Sequence, residues 1–155
     1  MSHQKRRGKL KIYLGYAAGV GKTYQMLEDA HELKTSGVDV VLAFLEPQGR
    51  SDLLERSKEF ETLPLLRVAC RGSFIEELDI AGILQRRPKV CIVDDLAHTN
   101  APGSERPRRW QDVQVLLEGG VDVVTNKTPE DFASFVAAET TRWGKVAKES
   151  GATID

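Results

Sequence analysis

The chain has 155 residues, of which 41% are hydrophobic and 29% are charged, and its formal net charge is -1. A domain of this length buries roughly 68–70% of its unfolded surface, so it needs neither disulfides nor a metal to form a core. The near-neutral charge argues against a nucleic-acid partner, and no apolar run approaches the roughly 18 residues of a membrane span. We expect a cytoplasmic domain that is not exported and does not insert into a membrane.

The two cysteines, Cys70 and Cys91, lie in separate apolar runs. A structural disulfide is unusual in a reducing cytoplasm, and metal sites place their ligands at closer spacing. We therefore expect two buried free thiols.

The first half of the chain predicts a tail followed by alternating elements. Residues 1–9 are polar and basic and predict a solvated tail. The apolar run 10–14 predicts a strand, and the helical spacing of apolar residues over 23–36 predicts a helix that ends at Gly37. Residues 38–45 are almost continuously apolar, which is typical of a strand buried on both faces of a parallel sheet.

The alternation continues to residue 125. It predicts helices over 52–60, 75–86 and 110–117, and strands over 65–69, 90–93 and 121–124. Strands that alternate with helices form βαβ units with right-handed crossovers. The predicted fold class is therefore α/β, with three layers around a mostly parallel sheet of about five strands.

A glycine-rich segment, Gly15-Tyr-Ala-Ala-Gly-Val-Gly-Lys-Thr23, connects the first strand to the first helix. Such a loop turns several N–H groups toward a phosphate at the positive end of the helix. Lys22 adds a positive charge and Thr23 a hydroxyl ligand for Mg²⁺, although Tyr16 takes the first glycine position of the strict motif. The predicted nucleotide-binding residues are Gly15, Ala18, Gly19, Val20, Gly21, Lys22, Thr23 and Tyr24.

The strand over 90–93 ends in two carboxylates, Asp94 and Asp95, as in a Walker B segment. An acid at this position holds Mg²⁺ directly or through water. We assign Asp94, together with Thr23, to the metal, and Asp95 to the catalytic role of polarising a water. The alternative is that both acids simply end a strand.

Other residues near this edge remain open to two interpretations. His98 either senses the nucleotide or only forms hydrogen bonds within its loop. The basic cluster beside Trp110 either faces solvent or contacts a nucleotide or partner domain. This cluster consists of Arg106, Arg108 and Arg109, and two further arginines that follow predicted strands are Arg50 and Arg71.

Four motifs occur together in one order: Gly15 to Thr23, Glu46 to Arg50, Val93 to Ser104, and Arg109 to Asp112. In these motifs the chain, from about residue 8 to 125, resembles the cytoplasmic N-terminal domain of the KdpD family of potassium-responsive sensor histidine kinases. The resemblance implies an ATP- and Mg²⁺-binding regulatory domain of a two-component system. The resemblance also implies that this domain modulates the balance of kinase and phosphatase activity that controls expression of a potassium pump. Its partners would be the other domains of the sensor kinase.

Two positions differ from the family pattern. Gln48 stands where the family usually has histidine, and Asp95 where it usually has glutamate. The shorter carboxylate makes ATP binding a firmer expectation than hydrolysis. An alternative is a small phosphotransferase or ATPase that uses the arginine cluster on a metabolite, and a third is an inert fragment.

Residues 128–155 differ in character from the rest of the chain. A cap at Thr128 and a proline at 129 precede an apolar stripe, which predicts one amphipathic helix up to Ser150. This segment is similar to the C-terminal helix of periplasmic substrate-binding proteins of tripartite tricarboxylate transporters, which implies a fusion. The alternative is a divergent terminal helix that closes the sheet.

Overall fold

The computed structural model describes residues 6–14, 21–45, 51–127 and 153–154. None of the helices in these ranges has the length and hydropathy that crossing a bilayer requires. The predicted helix over 128–150 lies outside the described residues. In chain order the elements are β1 (Leu10–Leu14), α1 (Gly21–Thr35), β2 (Val40–Phe44), α2 (Ser51–Ser57), β3 (Glu61–Thr62), β4 (Leu66–Cys70), β5 (Ser73–Glu77), α3 (Ile80–Arg86), β6 (Val90–Val93), α4 (Arg109–Glu118), β7 (Asp122–Lys127) and β8 (Thr153–Ile154).

The main sheet has six strands in the order β3-β2-β6-β7-β1-β8. All of its pairings are parallel, which confirms the predicted α/β class and its mostly parallel sheet. The connection from β1 through α1 to β2 passes over two strands, so β7 and β6 lie between them. The carboxyl ends of these four strands therefore share one edge.

Strand alternation separates the core into two clusters on opposite faces of the main sheet. On one face, Ile12, Cys91 and Val123 pack against α3 and α4, including the fully buried Trp110. On the other face, Ile92 and Val124 pack against α1 and α2. Because both faces are covered, β6 is buried at all four of its positions, as the continuous apolar run predicts.

The predicted third strand and the helix after it need correction. The strand forms as β4, but it pairs antiparallel with β5 in a separate hairpin and does not join the main sheet. The predicted helix over 75–86 begins only at Ile80. Arg71 and Gly72 both have positive φ, 48° and 77°, and a two-residue turn of this kind matches the twist of a hairpin. The chain therefore reverses before it can start a helix.

Residues 6–9, within the segment that the sequence predicts to be a solvated tail, pack against the end of α4. The Gly8 N–H donates to the carbonyl of Leu117 at 2.7 Å. A Cβ at Gly8 would lie 1.9 Å from the carbonyl oxygen of Val121. Only glycine fits this close approach of two backbones.

Tyr13 makes stability depend on pH. Its phenol donates to Asp29 at 2.5 Å, and burial, followed by this bond, raises the pKa of Tyr13 to about 12 against the lowering effect of Lys11. The folded chain therefore keeps a proton that the unfolded chain releases near pH 10. The stabilisation that Tyr13 contributes is complete below about pH 10 and is lost toward pH 12.

We expect the stability advantage of wild type over Tyr13→Phe to shrink by on the order of 2 kcal/mol between about pH 10 and pH 12. Urea unfolding followed by circular dichroism measures it, and a difference independent of pH would contradict the assignment.

The two thiols should differ in reactivity. Cys91 is fully buried in β6, and burial raises its pKa to about 12, whereas Cys70 at the hairpin turn is only partly buried, which corrects the expectation of two buried thiols. Because the thiolate is the reactive form, we expect Ellman's reagent at neutral pH to label Cys70 in the native protein and Cys91 only after denaturation. The Cys70→Ser variant keeps only the Cys91 thiol, so the reagent should not label it in the native state. Rapid labelling of this variant would contradict the burial of Cys91.

Candidate functional site

Helix α1 begins at the edge of the main sheet where β1 ends. It starts at Gly21, and Thr23 in its first turn is 4% exposed. Tyr24 is half-buried, and the guanidinium carbon of Arg56 lies 5.2 Å from its ring centre. The helix N-terminus and a buried threonine therefore lie at this edge. Of the other predicted nucleotide-binding residues, the side chain of Lys22 and all of Gly15, Ala18, Gly19 and Val20 lie outside the described residues.

The two acids follow β6 at the same edge. Asp94 is 5% exposed, and its backbone N–H continues the pairing with β2 by donating to the carbonyl of Phe44 at 2.9 Å. Asp95 adopts a left-handed conformation, with φ of 56°, and its N–H donates to the Asp94 carboxylate at 2.9 Å. Asp is one of the few residues other than glycine that tolerate this conformation. The chain therefore turns sharply away from the sheet between the two acids.

Arg109, the first residue of α4, lies directly behind this turn. Its side chain is fully buried, and Nη1 donates to the backbone carbonyl of Asp94 at 3.0 Å. The guanidinium also stacks 4.2 Å from the centre of the Phe44 ring. Burial lowers the pKa of Arg109, while the nearby carboxylates, Asp95 and Glu77 first among them, act in the opposite direction.

Glu77 joins the hairpin to this turn. It is 5% exposed and lies 3.7 Å from Nη2 of Arg109. One of its oxygens accepts the N–H of Ala101 at 2.9 Å, and Nε2 of His98 lies 2.9 Å from the same oxygen. The last residue of β5 therefore holds the loop after β6 at two points, His98 and Ala101, and also lies beside the first residue of α4.

His98 is a hydrogen-bonding residue of its loop. Nε2 faces Glu77, and Nδ1 lies 4.0 Å from a carboxylate oxygen of Asp95. Because a carboxylate only accepts hydrogen bonds, Nε2 carries the proton that is directed to Glu77. Of the two interpretations of His98, the described contacts support the one in which it only forms hydrogen bonds within its loop. Asp95 is its neighbour on the side opposite Glu77.

The remainder of the loop is held by Asn100, Arg106 and Asp112. The Asn100 side chain donates to the carbonyl of Arg106 at 2.8 Å and to Asp112 at 2.7 Å. Nε of Arg106 donates to the other oxygen of Asp112 at 2.6 Å. The loop is thus fastened to the first turn of α4, and Asn100 stabilises its turn.

Two residues of the arginine cluster do not face solvent, which was one of the two interpretations of the cluster. Arg109 is inside the core, Arg106 is paired with Asp112, and Nη1 of Arg108 donates to Thr99 at 3.2 Å. Arg71 lies in the hairpin turn and not at the edge of the main sheet. Sequence reasoning missed the roles of Arg109 and Glu77, because long charged residues are normally exposed. The one available signal was the Arg109-Trp110 pair at the start of an amphipathic helix.

The side chains at this edge could hold Mg²⁺ only if a bound molecule and water supplied further oxygen ligands. Within the described ranges, no three His, Cys, Asp or Glu side chains are grouped so that they could hold a metal ion. Mg²⁺, however, is commonly held by one or two protein oxygens together with phosphate oxygens and water. Thr23 and Asp94, both buried at one edge, fit that pattern.

The family model described as "KdpD: Osmosensitive K+ channel His kinase sensor domain" matches residues 6–141. The chain belongs to the KdpD sensor-domain family. A sensor protein KdpD of Escherichia coli K12 is 49% identical over 128 residues, which cover 83% of this chain. The Clostridium acetobutylicum sensor protein KdpD is 45% identical over 130 residues, or 84% of the chain. The putative sensor protein KdpD of Synechocystis is 48% identical over 118 residues, or 76% of the chain.

The matched region is a small part of these KdpD relatives. It spans 14% of the length of the Escherichia coli and Clostridium proteins and 32% of the Synechocystis protein. The family match ends at residue 141 and so includes the first part of the 128–155 segment. The similarity therefore assigns this chain to the sensor domain, while the activity of the whole relatives belongs to much longer chains.

Glu77 should be important for stability. Glu77→Leu leaves Arg109 buried without its carboxylate and removes the acceptor for Ala101, so we expect a loss of about 3–5 kcal/mol in the free energy of unfolding. Exposed Glu76, the preceding residue of β5, is the matched control, and Glu76→Leu should change stability by no more than about 0.5 kcal/mol. Urea denaturation measures both, and equal small effects would show that the buried contacts of Glu77 do not stabilise the fold.

Proposed function

We propose that this domain binds Mg·ATP at the carboxyl edge of its main sheet and acts in the cytoplasm as a regulatory domain of a KdpD-type sensor kinase. In this role, nucleotide binding modulates the balance between kinase and phosphatase activity in the partner domains. One observation carries the proposal: Gly21, Lys22 and Thr23 open α1 at the edge where β6 delivers Asp94. The N-terminus of a helix favours phosphate because backbone N–H groups and the positive end of the helix dipole point toward the ligand.

Each residue has a distinct role in the proposed site. The glycine-rich loop of Gly15, Ala18, Gly19, Val20 and Gly21 surrounds the phosphates with N–H groups, and Lys22 contacts the outer phosphates. Thr23 and Asp94 hold the metal. Mg²⁺, when bound, neutralises the charge on the phosphate oxygens. The identity to sensor proteins KdpD supports the sensor-kinase part of this proposal.

Asp95 is the residue that we propose to orient a water for slow hydrolysis. Its left-handed backbone directs the chain past the edge, and its carboxylate lies 4.0 Å from His98. General-base residues typically contribute 10²- to 10⁴-fold to a rate. The side chain is one methylene shorter than glutamate, so binding, with little turnover, is the main activity that we propose.

The contacts of the arginine cluster disfavour a small phosphotransferase. Such an enzyme needs mobile arginines that reach the transferred group. Arg109 is buried and Arg106 is engaged with Asp112. Arginines fixed in this way are structural parts of the loop, so we retain the regulatory proposal.

Lys22→Ala tests the site directly. Losing a charge-assisted contact of about 1.5–3 kcal/mol should weaken Mg·ATP binding about 10- to 100-fold. Lys34→Ala is the matched control, because it removes a lysine from the last turn of the same helix. Its affinity should equal that of wild type. Titration calorimetry provides the dissociation constants, and equal affinity of wild type and Lys22→Ala would reject the site.

A further inference from the structure

We infer that Arg109 is a positioning residue that holds Asp94 and Asp95 in the geometry for Mg²⁺, and this inference rests on the proposed nucleotide function. The residue does not face the ligand edge itself. It acts from inside the core, through the backbone of the turn that carries the two acids.

The burial of Arg109 is costly. Its side chain is 0% exposed, and within the described part of the chain Nε and Nη2 have no hydrogen-bond partner. An apolar side chain of similar size would normally pack at such a position at equal or lower cost. A buried polar group that is only partly satisfied calls for a specific explanation, and the contacts of Arg109 provide one.

Two hydrogen bonds from Arg109 hold both ends of the turn from Asp94 to His98. Nη1 of the side chain donates to the carbonyl of Asp94, and the backbone N–H donates to the carbonyl of His98, each at 3.0 Å. The turn closes on itself where the His98 N–H donates to the carbonyl of Asp95 at 3.2 Å. The left-handed conformation of Asp95 lies between these fixed points, and the side chain of Arg109 fixes the Asp94 end of the turn.

The position of the guanidinium is in turn set by two other elements. The ring of Phe44, at the end of β2, packs against it at 4.2 Å. Glu77, at the end of the hairpin, provides a carboxylate at 3.7 Å. A rigid planar guanidinium held between a ring and a carboxylate has little freedom to move. Its positive charge also lies close enough to Asp94 and Asp95 to offset their mutual repulsion.

This arrangement predicts an effect on the metal and not on the nucleotide alone. Residues that orient a metal ligand from behind typically contribute 10- to 100-fold to metal affinity. Arg109→Met keeps the length and apolar packing of the side chain but removes its guanidinium donors, including the one to the Asp94 carbonyl, while the backbone N–H bond to His98 remains. We expect this variant to need about 10- to 100-fold more Mg²⁺ for half-saturation of the ATP complex, with unchanged ATP affinity in EDTA.

The experiment uses the full chain and a fluorescent ATP analogue. Mg²⁺ is titrated into the protein with bound analogue, and analogue affinity is measured separately in EDTA. Arg106→Met is the matched control, because it removes a partly buried arginine of the same loop that contacts Asp112 and not Asp94. Its Mg²⁺ requirement should equal that of wild type. Arg109→Lys keeps the charge with a single donor group, and its requirement should lie between those of wild type and Arg109→Met.

The outcomes separate the two proposals. If wild type binds no ATP analogue, the proposed function fails and the inference fails with it. If wild type binds and Arg109→Met has a wild-type Mg²⁺ requirement, only the inference fails. If Arg109→Met and Arg106→Met both lose affinity for the analogue, and lose it equally in EDTA and in Mg²⁺, the role of Arg109 is purely structural. That result would also overturn the inference. If Arg109→Met does not fold, Arg109→Lys decides: a several-fold higher Mg²⁺ requirement supports the inference, and a wild-type value rejects it.

Discussion

Parallel pairing between β2, β6, β7 and β1 places the carboxyl ends of four strands on one edge of the main sheet. Everything at the candidate site depends on that constraint. It brings the start of α1 and the acids after β6 to the same side, although about 70 residues separate them along the chain. Helices cover both faces of the sheet, so the candidate site lies at this edge.

The loop after β6 is organised by charged groups inside the protein. Glu77 and Arg109 are both more than nine-tenths buried, and between them they contact the backbone of Asp94, the N–H of Ala101 and the ring of His98. Groups of this kind stabilise a fold only when their geometry is well satisfied. Their arrangement links the hairpin of β4 and β5 to the edge of the main sheet that carries Asp94 and Asp95.

Local sequence patterns gave reliable expectations where one physical signal dominated. The run Val90–Val93 is apolar at every position and forms a fully buried strand, and Gly37, with φ of 96°, ends α1 as expected. The predicted helix over 75–86 forms only from Ile80, and the expectation was wrong for the residues before it, where apolar residues fit a helical spacing. The turn formed by Arg71 and Gly72 instead directs Ser73–Glu77 back along β4. In a short segment of mixed polarity, the pattern of apolar residues does not distinguish the helical repeat from the alternation of a strand.

The sequence by itself determined the α/β class, the parallel sheet and the two acids that follow β6, because continuous apolar runs and alternating elements require burial on both faces. It also carried the motifs that place the chain in the KdpD family. Only the tertiary structure decided that Arg109 lies in the core and that Glu77 faces it from a separate hairpin. The reason is physical: whether a charged side chain is exposed or buried depends on partners distant in sequence, and no local pattern encodes those contacts.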